Sequence, residues 1–298
     1  METLLITGAG GLIGTPIVRQ LALEGKYRIV AATSGRRPVE YPEGVVPETV
    51  NLLDESEQKA LLERVHPDIL IHLAWSLDGP GFLSSEKNIR WLEASLSLLR
   101  AFRGKSFLFA GSSAEYGHGT NCRETDVCRP SSLYGECKLA FERVAASYCA
   151  DSGVRFVGMR FFSVYGPGDV RKGRALPTAI QSFLNNEPFI CKGPNNTWDY
   201  IFTEDIGKAV SKVVESEYSG PINISTGQAI SMKHAFTTMS CMMGKESLLS
   251  FENEDLAGQQ LVGDSSLLRD QTGFCDFTPF EEGMKKTVEW WNGQFAST

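Results

Sequence analysis

The chain is poor in the features that staple or address a protein. Its seven cysteines (Cys122, Cys128, Cys137, Cys149, Cys191, Cys241 and Cys275) are odd in number and contain no CxxC pair. That argues against a zinc cluster and against a secreted disulfide framework, and it predicts reduced thiols in a cytoplasmic protein. The four histidines, His66, His72, His118 and His234, show no ligand spacing, so no metal is expected. No apolar run approaches the roughly 20 residues of a membrane span. The first residues lack a basic segment followed by an apolar stretch and a cleavage site, so no leader and no membrane partner are expected. Lysine and arginine form no run, and 29 basic against 36 acidic residues leave a net charge of -7. A nucleic-acid partner is therefore not expected either.

What remains is ordinary globular composition: 298 residues, 42% hydrophobic, 22% charged, with 29 Gly and 13 Pro. This is enough chain to bury a core unaided, as one large domain or two moderate ones. Strand-like and helix-like segments alternate. Leu4 to Thr7 is a short apolar run; Ile13, Ile17 and Leu21 recur at helical spacing; Tyr27 to Thr33 is again strand-like. The same alternation continues through Ile69–Ala74, Asn88–Phe102, Ser106–Ala110, Ser131–Ala150 and Val154–Arg160. Strands separated by helices predict parallel βαβ units with right-handed crossovers. The texture changes after Tyr165, at Gly166-Pro167-Gly168-Asp169. The predicted fold is therefore α/β, a Rossmann-type doubly wound parallel sheet with a smaller C-terminal substrate-binding region. Residues 1–165 form the dinucleotide-binding domain, with 199–227 returning to it; 166–198 and 228–298 form the substrate-binding region.

Three groups of residues carry chemistry. Gly8-Ala9-Gly10-Gly11-Leu12-Ile13-Gly14 follows the first strand and opens the first helix, with glycines at GxxGxxG spacing. Glycine lets the backbone turn sharply and approach a pyrophosphate, and a helix N-terminus supplies amide donors. Tyr134 is the one tyrosine of eight with a lysine four residues on, Lys138. On a helix the two share a face, and an ammonium beside a phenol is expected to lower the phenol's pKa toward neutrality. Ser112, where the Phe107–Ala110 strand runs out, is placed to hydrogen-bond a substrate oxygen.

Together with Ile71-His72-Leu73-Ala74, Ser112-Ser113-Ala114-Glu115-Tyr116-Gly117, Pro130 to Lys138, Val164-Tyr165-Gly166-Pro167-Gly168 and Asp199-Tyr200-Ile201-Phe202, this set resembles the extended short-chain dehydrogenases/reductases. Within them it is similar to the NAD(P)-dependent nucleotide-sugar epimerase/dehydratase/reductase family. The resemblance covers nearly the whole chain. It implies that Gly8, Gly11, Leu12, Ile13 and Gly14 hold the cofactor pyrophosphate, that Leu53, Leu73 and Ala74 line the cofactor, and that Lys138 binds its ribose. It makes Ser112, Tyr134 and Lys138 the catalytic set, with Tyr134 the general acid/base. Ser113, Ser163, Arg174 and Trp198 fall where the family contacts substrate. It also implies a homodimer built on the Asn88 and Ser131 helices.

The chain departs from the family at informative points. Dehydratases carry a second acid/base where this chain has Ala114, which disfavours elimination. The adjacent Glu115, on a strand or its end, is expected to point the other way. Ser163 replaces the family's Asn, and Trp198 replaces its phosphate-binding Arg; Arg171, Lys172 and Arg174 are candidates to supply that charge. The second strand runs into Ser34-Gly35-Arg36-Arg37 with no Asp or Glu until Glu40. Without an acid to repel a 2′-phosphate, Ser34, Arg36 and Arg37 favour NADP over NAD. The expected function is NAD(P)H-dependent reduction of a keto group, at C4, of a nucleotide-linked sugar. Two alternatives stay open: a nucleotide-sugar 4-epimerase with tightly bound NAD, and a non-catalytic dinucleotide-binding sensor.

Overall fold

A computed structural model describes residues 1–77, 79, 81–171 and 173–296. The strands, in chain order, are β1 (Thr3–Thr7), β2 (Arg28–Thr33), β3 (Val46–Thr49), β4 (Ile69–His72), β5 (Ser106–Ser112), β6 (Gly119–Cys122), β7 (Arg155–Phe161), β8 (Ser163–Tyr165), β9 (Phe189–Lys192), β10 (Thr197–Phe202), β11 (Gly220–Ile224), β12 (Ala229–Ser231), β13 (Leu249–Glu252) and β14 (Gln260–Gly263). The α-helices are α1 (Gly14–Glu24), α2 (Glu55–Val65), α3 (Lys87–Ala101), α4 (Leu133–Ser152), α5 (Ala175–Leu184), α6 (Thr203–Glu215), α7 (Met232–Met243), α8 (Ser266–Thr272) and α9 (Phe280–Ala296).

Seven strands form one sheet in the order β11-β7-β5-β4-β1-β2-β3, and every neighbouring pair is parallel. The order reverses at β1, which lies between β2 and β4. That junction is the switch point where open α/β sheets receive ligands at the strands' carboxyl ends. Both faces of the sheet are covered, which is why its strands read as apolar runs rather than alternating ones. Leu4, Ile6, Leu108, Val157 and Ile222 face the layer of α1 and α6; Leu5, Leu70, Phe107, Phe109 and Phe156 face that of α3 and α4.

Helix ends follow the sequence closely. Ser132 caps α4, accepting the Gly135 N–H, and Gly153 closes it in the left-handed region at φ 68°. The sequence pattern predicts neither β3 nor α2, although α2 carries a strong start signal: Asp54 accepts the Ser56 and Glu57 N–H groups.

Beyond β7 the chain builds a second layer. A smaller sheet runs β12-β10-β14-β6, with β8 pairing beside β10. The segment 199–227 is divided between the layers: β10 lies in the small sheet, α6 packs on α1, and β11 pairs with β7 at the edge of the large sheet. Buried carboxylates tie these crossings. Asp199 accepts the Thr226 N–H, the Thr226 hydroxyl, the Gly227 N–H and the Gly263 N–H. Asp205 accepts the Thr278 N–H and hydroxyl, fixing the approach to α9. Phe183, Phe202, Phe236 and Met284 fill the apolar core of this region.

Candidate active site

The glycine turn stands at the carboxyl end of β1. Gly8 adopts φ 70°, and a Cβ there would meet the Ala74 backbone nitrogen at 2.8 Å; one on Gly14 would strike the Gly8 carbonyl. The backbone therefore has no room for side chains where a pyrophosphate would approach. Gly11 N–H donates to the Gly8 carbonyl at 3.0 Å and closes the turn. The first turn of α1 holds no acidic residue, and its N-cap, Ile13, makes no side-chain capping bond. Neither the helix's own first turn nor Ile13 therefore supplies a side chain to offset the positive end of α1. These residues fit a dinucleotide phosphate.

Leu73 and Ala74 continue β4 beside that turn, with the Leu73 N–H bonded to the Thr7 carbonyl. Leu53 is partly exposed in the loop before α2. Ser34, Arg36 and Arg37 lie exposed on the loop after β2. That loop folds back on the turn: a Cβ at Gly10 would come within 2.5 Å of Val39 Cγ2.

Ser112 ends β5 and caps the following short 3₁₀ turn, its Oγ accepting the Ala114 N–H at 3.2 Å. Tyr134 and Lys138 project from the first turns of α4, and both side chains are buried. The expected effect of Lys138 on Tyr134 is not what the structure shows. Burial pushes the phenol up to about 12, against the Ser112 hydroxyl, which favours the phenolate. The Lys138 ammonium is aimed elsewhere: it donates to the Ala110 carbonyl at 2.7 Å and sits 5.8 Å from the centre of the Tyr134 ring. Burial also brings Lys138 down to about 7. Burial thus favours the neutral phenol at Tyr134, the form that donates a proton.

Two aromatic residues that the motif reading passes over shape this pocket. Trp75 lies 3.9 Å from the Lys138 ammonium and edge-on to Tyr134, and Phe82 meets Tyr134 edge-on at 5.5 Å. Asn88 anchors both, accepting the Trp75 indole N–H and donating to the Phe82 carbonyl. Only folding reveals them, because neither belongs to a periodic or spaced pattern. His72 is structural. Its Nε2–H donates to Ser95, whose hydroxyl goes to the Trp91 carbonyl, so Nδ1 accepts from Thr7. Burial drops its pKa to about 3, which keeps the ring neutral.

Ala114 offers no titratable group. Glu115 is directed by the 3₁₀ turn rather than by strand alternation: its carboxylate accepts the Ser112 N–H at 2.7 Å and meets Arg160. Ser113 begins that turn. Ser163 lies on β8 and Trp198 on β10, both half-buried, with Trp198 packed between two apolar clusters. Arg174 is already engaged, donating to Asp169 at 2.5 Å and to the Val164 carbonyl at 2.6 Å. Arg171 lies over the Phe82 ring, and Lys172 is outside the described residues.

Comparison with known proteins agrees with this arrangement. The chain is 25% identical to the ADP-L-glycero-D-manno-heptose-6-epimerase of Cupriavidus pinatubonensis, over 97% of this chain and 98% of that one. It superposes on the UDP-N-acetylglucosamine 4-epimerase of Methanobrevibacter ruminantium, solved with UDP-N-acetylmuramic acid, with TM-score 0.86 and 26% identity; the match covers 98% of this chain and 99% of that chain. It shares its fold with the UDP-glucose 4-epimerase of Thermus thermophilus, solved with NAD, at TM-score 0.84 and 22% identity over 98% and 99% of the two chains. The sequence profile of the NAD dependent epimerase/dehydratase family matches residues 4–225. The parallel sheet with its glycine turn and the Ser112, Tyr134 and Lys138 set thus belong to a member of the NAD dependent epimerase/dehydratase family.

Proposed function

We propose that this protein reduces a keto group, at C4, of a nucleotide-linked sugar, with Tyr134 as general acid. The observation that carries the reading is the grouping of Ser112 at the end of β5 with Tyr134 and Lys138 buried on the first turns of α4, with no second proton-transfer group at Ala114. A reductase needs its acid loaded at the start of the cycle. A bound nicotinamide would supply the hydride. Ser112 orients the carbonyl oxygen, Tyr134 gives it the proton, and Lys138 holds the ribose side of the cofactor. Elimination and C3/C5 epimerisation each need a further acid/base, which Ala114 does not provide.

We read the cofactor as NADP. The loop of Ser34, Arg36 and Arg37 is folded against the glycine turn and presents no carboxylate to a 2′-phosphate. The substrate's diphosphate falls to Ser113, Ser163, Trp198 and the Arg174 region, with Trp198 offering a face for stacking. The exposed apolar side chains Ile89 on α3 and Val144 and Tyr148 on α4 support a homodimer. The free cysteines support a cytoplasmic protein.

A second reading, 4-epimerisation with retained NAD, is favoured by the likeness to the Methanobrevibacter 4-epimerase. One assay separates the two. Purified protein is given NADPH or NADH and a 4-keto-sugar nucleotide, and absorbance at 340 nm is followed. Stoichiometric cofactor oxidation supports the reductase. Interconversion of C4 epimers of a nucleotide sugar without net oxidation rejects it in favour of the epimerase.

A further inference from the structure

Lys138 is an unusual cation for a binding pocket, because its side chain is only 2% exposed. An ammonium stripped of water needs compensation. The buried acids Glu115 and Glu142 are engaged with Arg160. Among the described residues the Lys138 ammonium makes one hydrogen bond, to the Ala110 carbonyl at 2.7 Å. Its other neighbours are aromatic. Nζ stands over the Trp75 ring, 3.9 Å from its centre, and over the Phe109 ring at 4.6 Å. The negative face of an aromatic ring attracts a cation, most strongly at tryptophan and when water is excluded.

The two rings are held differently. Phe109 lies inside β5 and is fully buried. Trp75 follows the end of β4 and is only half-buried, so burial alone does not fix its plane. A clamp does. The indole N–H donates to Asn88 Oδ1 at 2.9 Å. Asn88 is itself buried, and its Nδ2 donates to the Phe82 carbonyl at 2.7 Å and the Ser85 carbonyl at 2.9 Å. With both carbonyls taking the amide N–H groups, the amide oxygen is the atom left for the indole. Trp91 stacks behind Trp75, with ring centres 6.4 Å apart and planes 28° apart. The preceding residue, Ala74, is the one that packs on Gly8 of the glycine turn. One short stretch after β4 thus touches both the pyrophosphate turn and the lysine.

We propose that Trp75 is a positioning residue for Lys138: its indole face, clamped by Asn88, seats the ammonium beside the Ala110 carbonyl with N–H donors left for a cofactor ribose. The inference rests on the reading of Lys138 as the residue that meets that ribose. An aromatic face suits the task better than a carboxylate. It attracts the cation without bringing a negative charge that would repel the cofactor's phosphates, and it takes up no more of the three ammonium donors than it must.

The test reads Lys138 and cofactor binding separately, and neither needs a sugar. In protein carrying lysine labelled with ¹³C at the ε carbon, the Lys138 signal is assigned by its loss in Lys138→Met. Its ε-methylene protons should resonate upfield of ordinary lysine, because they lie against ring faces. Trp75→Leu should abolish the larger part of that displacement, and Trp75→Phe, which keeps a face, should retain most of it. In titrations with NADPH and NADH, Trp75→Leu should weaken the tighter cofactor about tenfold, and Trp75→Phe should restore most of the loss. In a Lys138→Met background Trp75→Leu should add little. An unmoved Lys138 signal in Trp75→Leu, or equal weakening with and without Lys138, would overturn the proposal and make Trp75 a packing element. If Lys138→Met alone leaves both affinities intact, the ribose reading fails, and the ε-methylene signal still decides whether Trp75 seats the ammonium. Should Trp75→Leu fail to fold, trifluorotryptophan keeps the ring and withdraws its π charge. Incorporated into the wild type it should weaken cofactor binding, and incorporated into Trp75→Phe it should not; an equal effect in both rejects the proposal.

Discussion

The two sheets of this protein are held by different means. The seven-stranded sheet is a stack of apolar runs: β1, β4 and β5 bury nearly every residue, and their order follows from repeated βα units. The smaller sheet gathers β6, β8, β10, β12 and β14 from distant segments: Gly119 of β6 pairs with Leu261 of β14. Its strands are short, and polar staples such as Asp199 and Asp205 fix their meeting points. The family profile covers the first sheet and stops at residue 225, inside the second region's course through the chain. The solved relatives match 98% of this chain, so both sheets belong to the shared fold; they differ in how each is fixed, the first by local repeats and the second by individual long-range hydrogen bonds. The glycine turn sits in the first kind, and Ser163 and Trp198 in the second.

The sharpest way to probe the contrast is at the junction between the two regions. Tyr134→Phe keeps the ring packed on Trp75 and Phe82 but removes the proton. Turnover should fall at least ~10²-fold with little change in cofactor affinity. A near wild-type rate with the true substrate would remove Tyr134 from the mechanism.

The next effect is on stability. Leu108→Ala opens a cavity in the large sheet and should cost about 2–5 kcal/mol in a global unfolding measurement. Asp199→Ala removes the buried acceptor of four donors and should cost about 3 kcal/mol. The two should differ in hydrogen exchange: Leu108→Ala lowers protection everywhere, and Asp199→Ala lowers it first in β10, β14 and the 226–228 turn. Identical exchange patterns would show that the two sheets unfold as one unit and erase the distinction.

Cofactor choice tests the turn's neighbourhood rather than the turn. Arg36→Ala/Arg37→Ala should weaken NADPH binding by ~1.5–3 kcal/mol for each charged hydrogen bond to the 2′-phosphate and leave NADH unchanged in paired titrations. A wild-type preference for NADH would reject the NADP assignment.

The smallest effect comes from His72. Its folded pKa, about 3, lies below the unfolded value of 6.5. The unfolded chain therefore binds the proton first as pH falls, and stability drops as pH goes from about 7 toward 3. Between pH 7 and pH 5 this group should remove about 2 kcal/mol, read as the difference between wild type and His72→Gln in denaturant midpoints. A pH-independent difference would mean that the ring takes up its proton as readily in the folded chain as in the unfolded one.

Much of the first sheet was legible from the sequence. The apolar runs at Leu4, Ile69 and Phe107 become β1, β4 and β5, and the Ser131-to-Gly153 signals bound α4 to within two residues. The strand β3 was not, because Val46-Pro47-Glu48-Thr49 lies at the sheet edge with little to bury. The C-terminal region was legible only in outline. Helices α7 and α9 have apolar faces, but nothing local says that Asp199 will meet Gly263.

The sequence by itself determined the α/β alternation, the glycine turn, and the placing of Tyr134 and Lys138 on one helical face, because periodicity and spacing are local properties. Only the tertiary structure decided the protonation of that pair. Desolvation, not the proximity of two residues four apart, raises Tyr134 and lowers Lys138. It also decided that Glu115 faces inward to Ser112 and Arg160 and that Trp75 and Phe82 wall the pocket. Burial and field depend on what the rest of the chain brings alongside, and no spacing in the sequence encodes that.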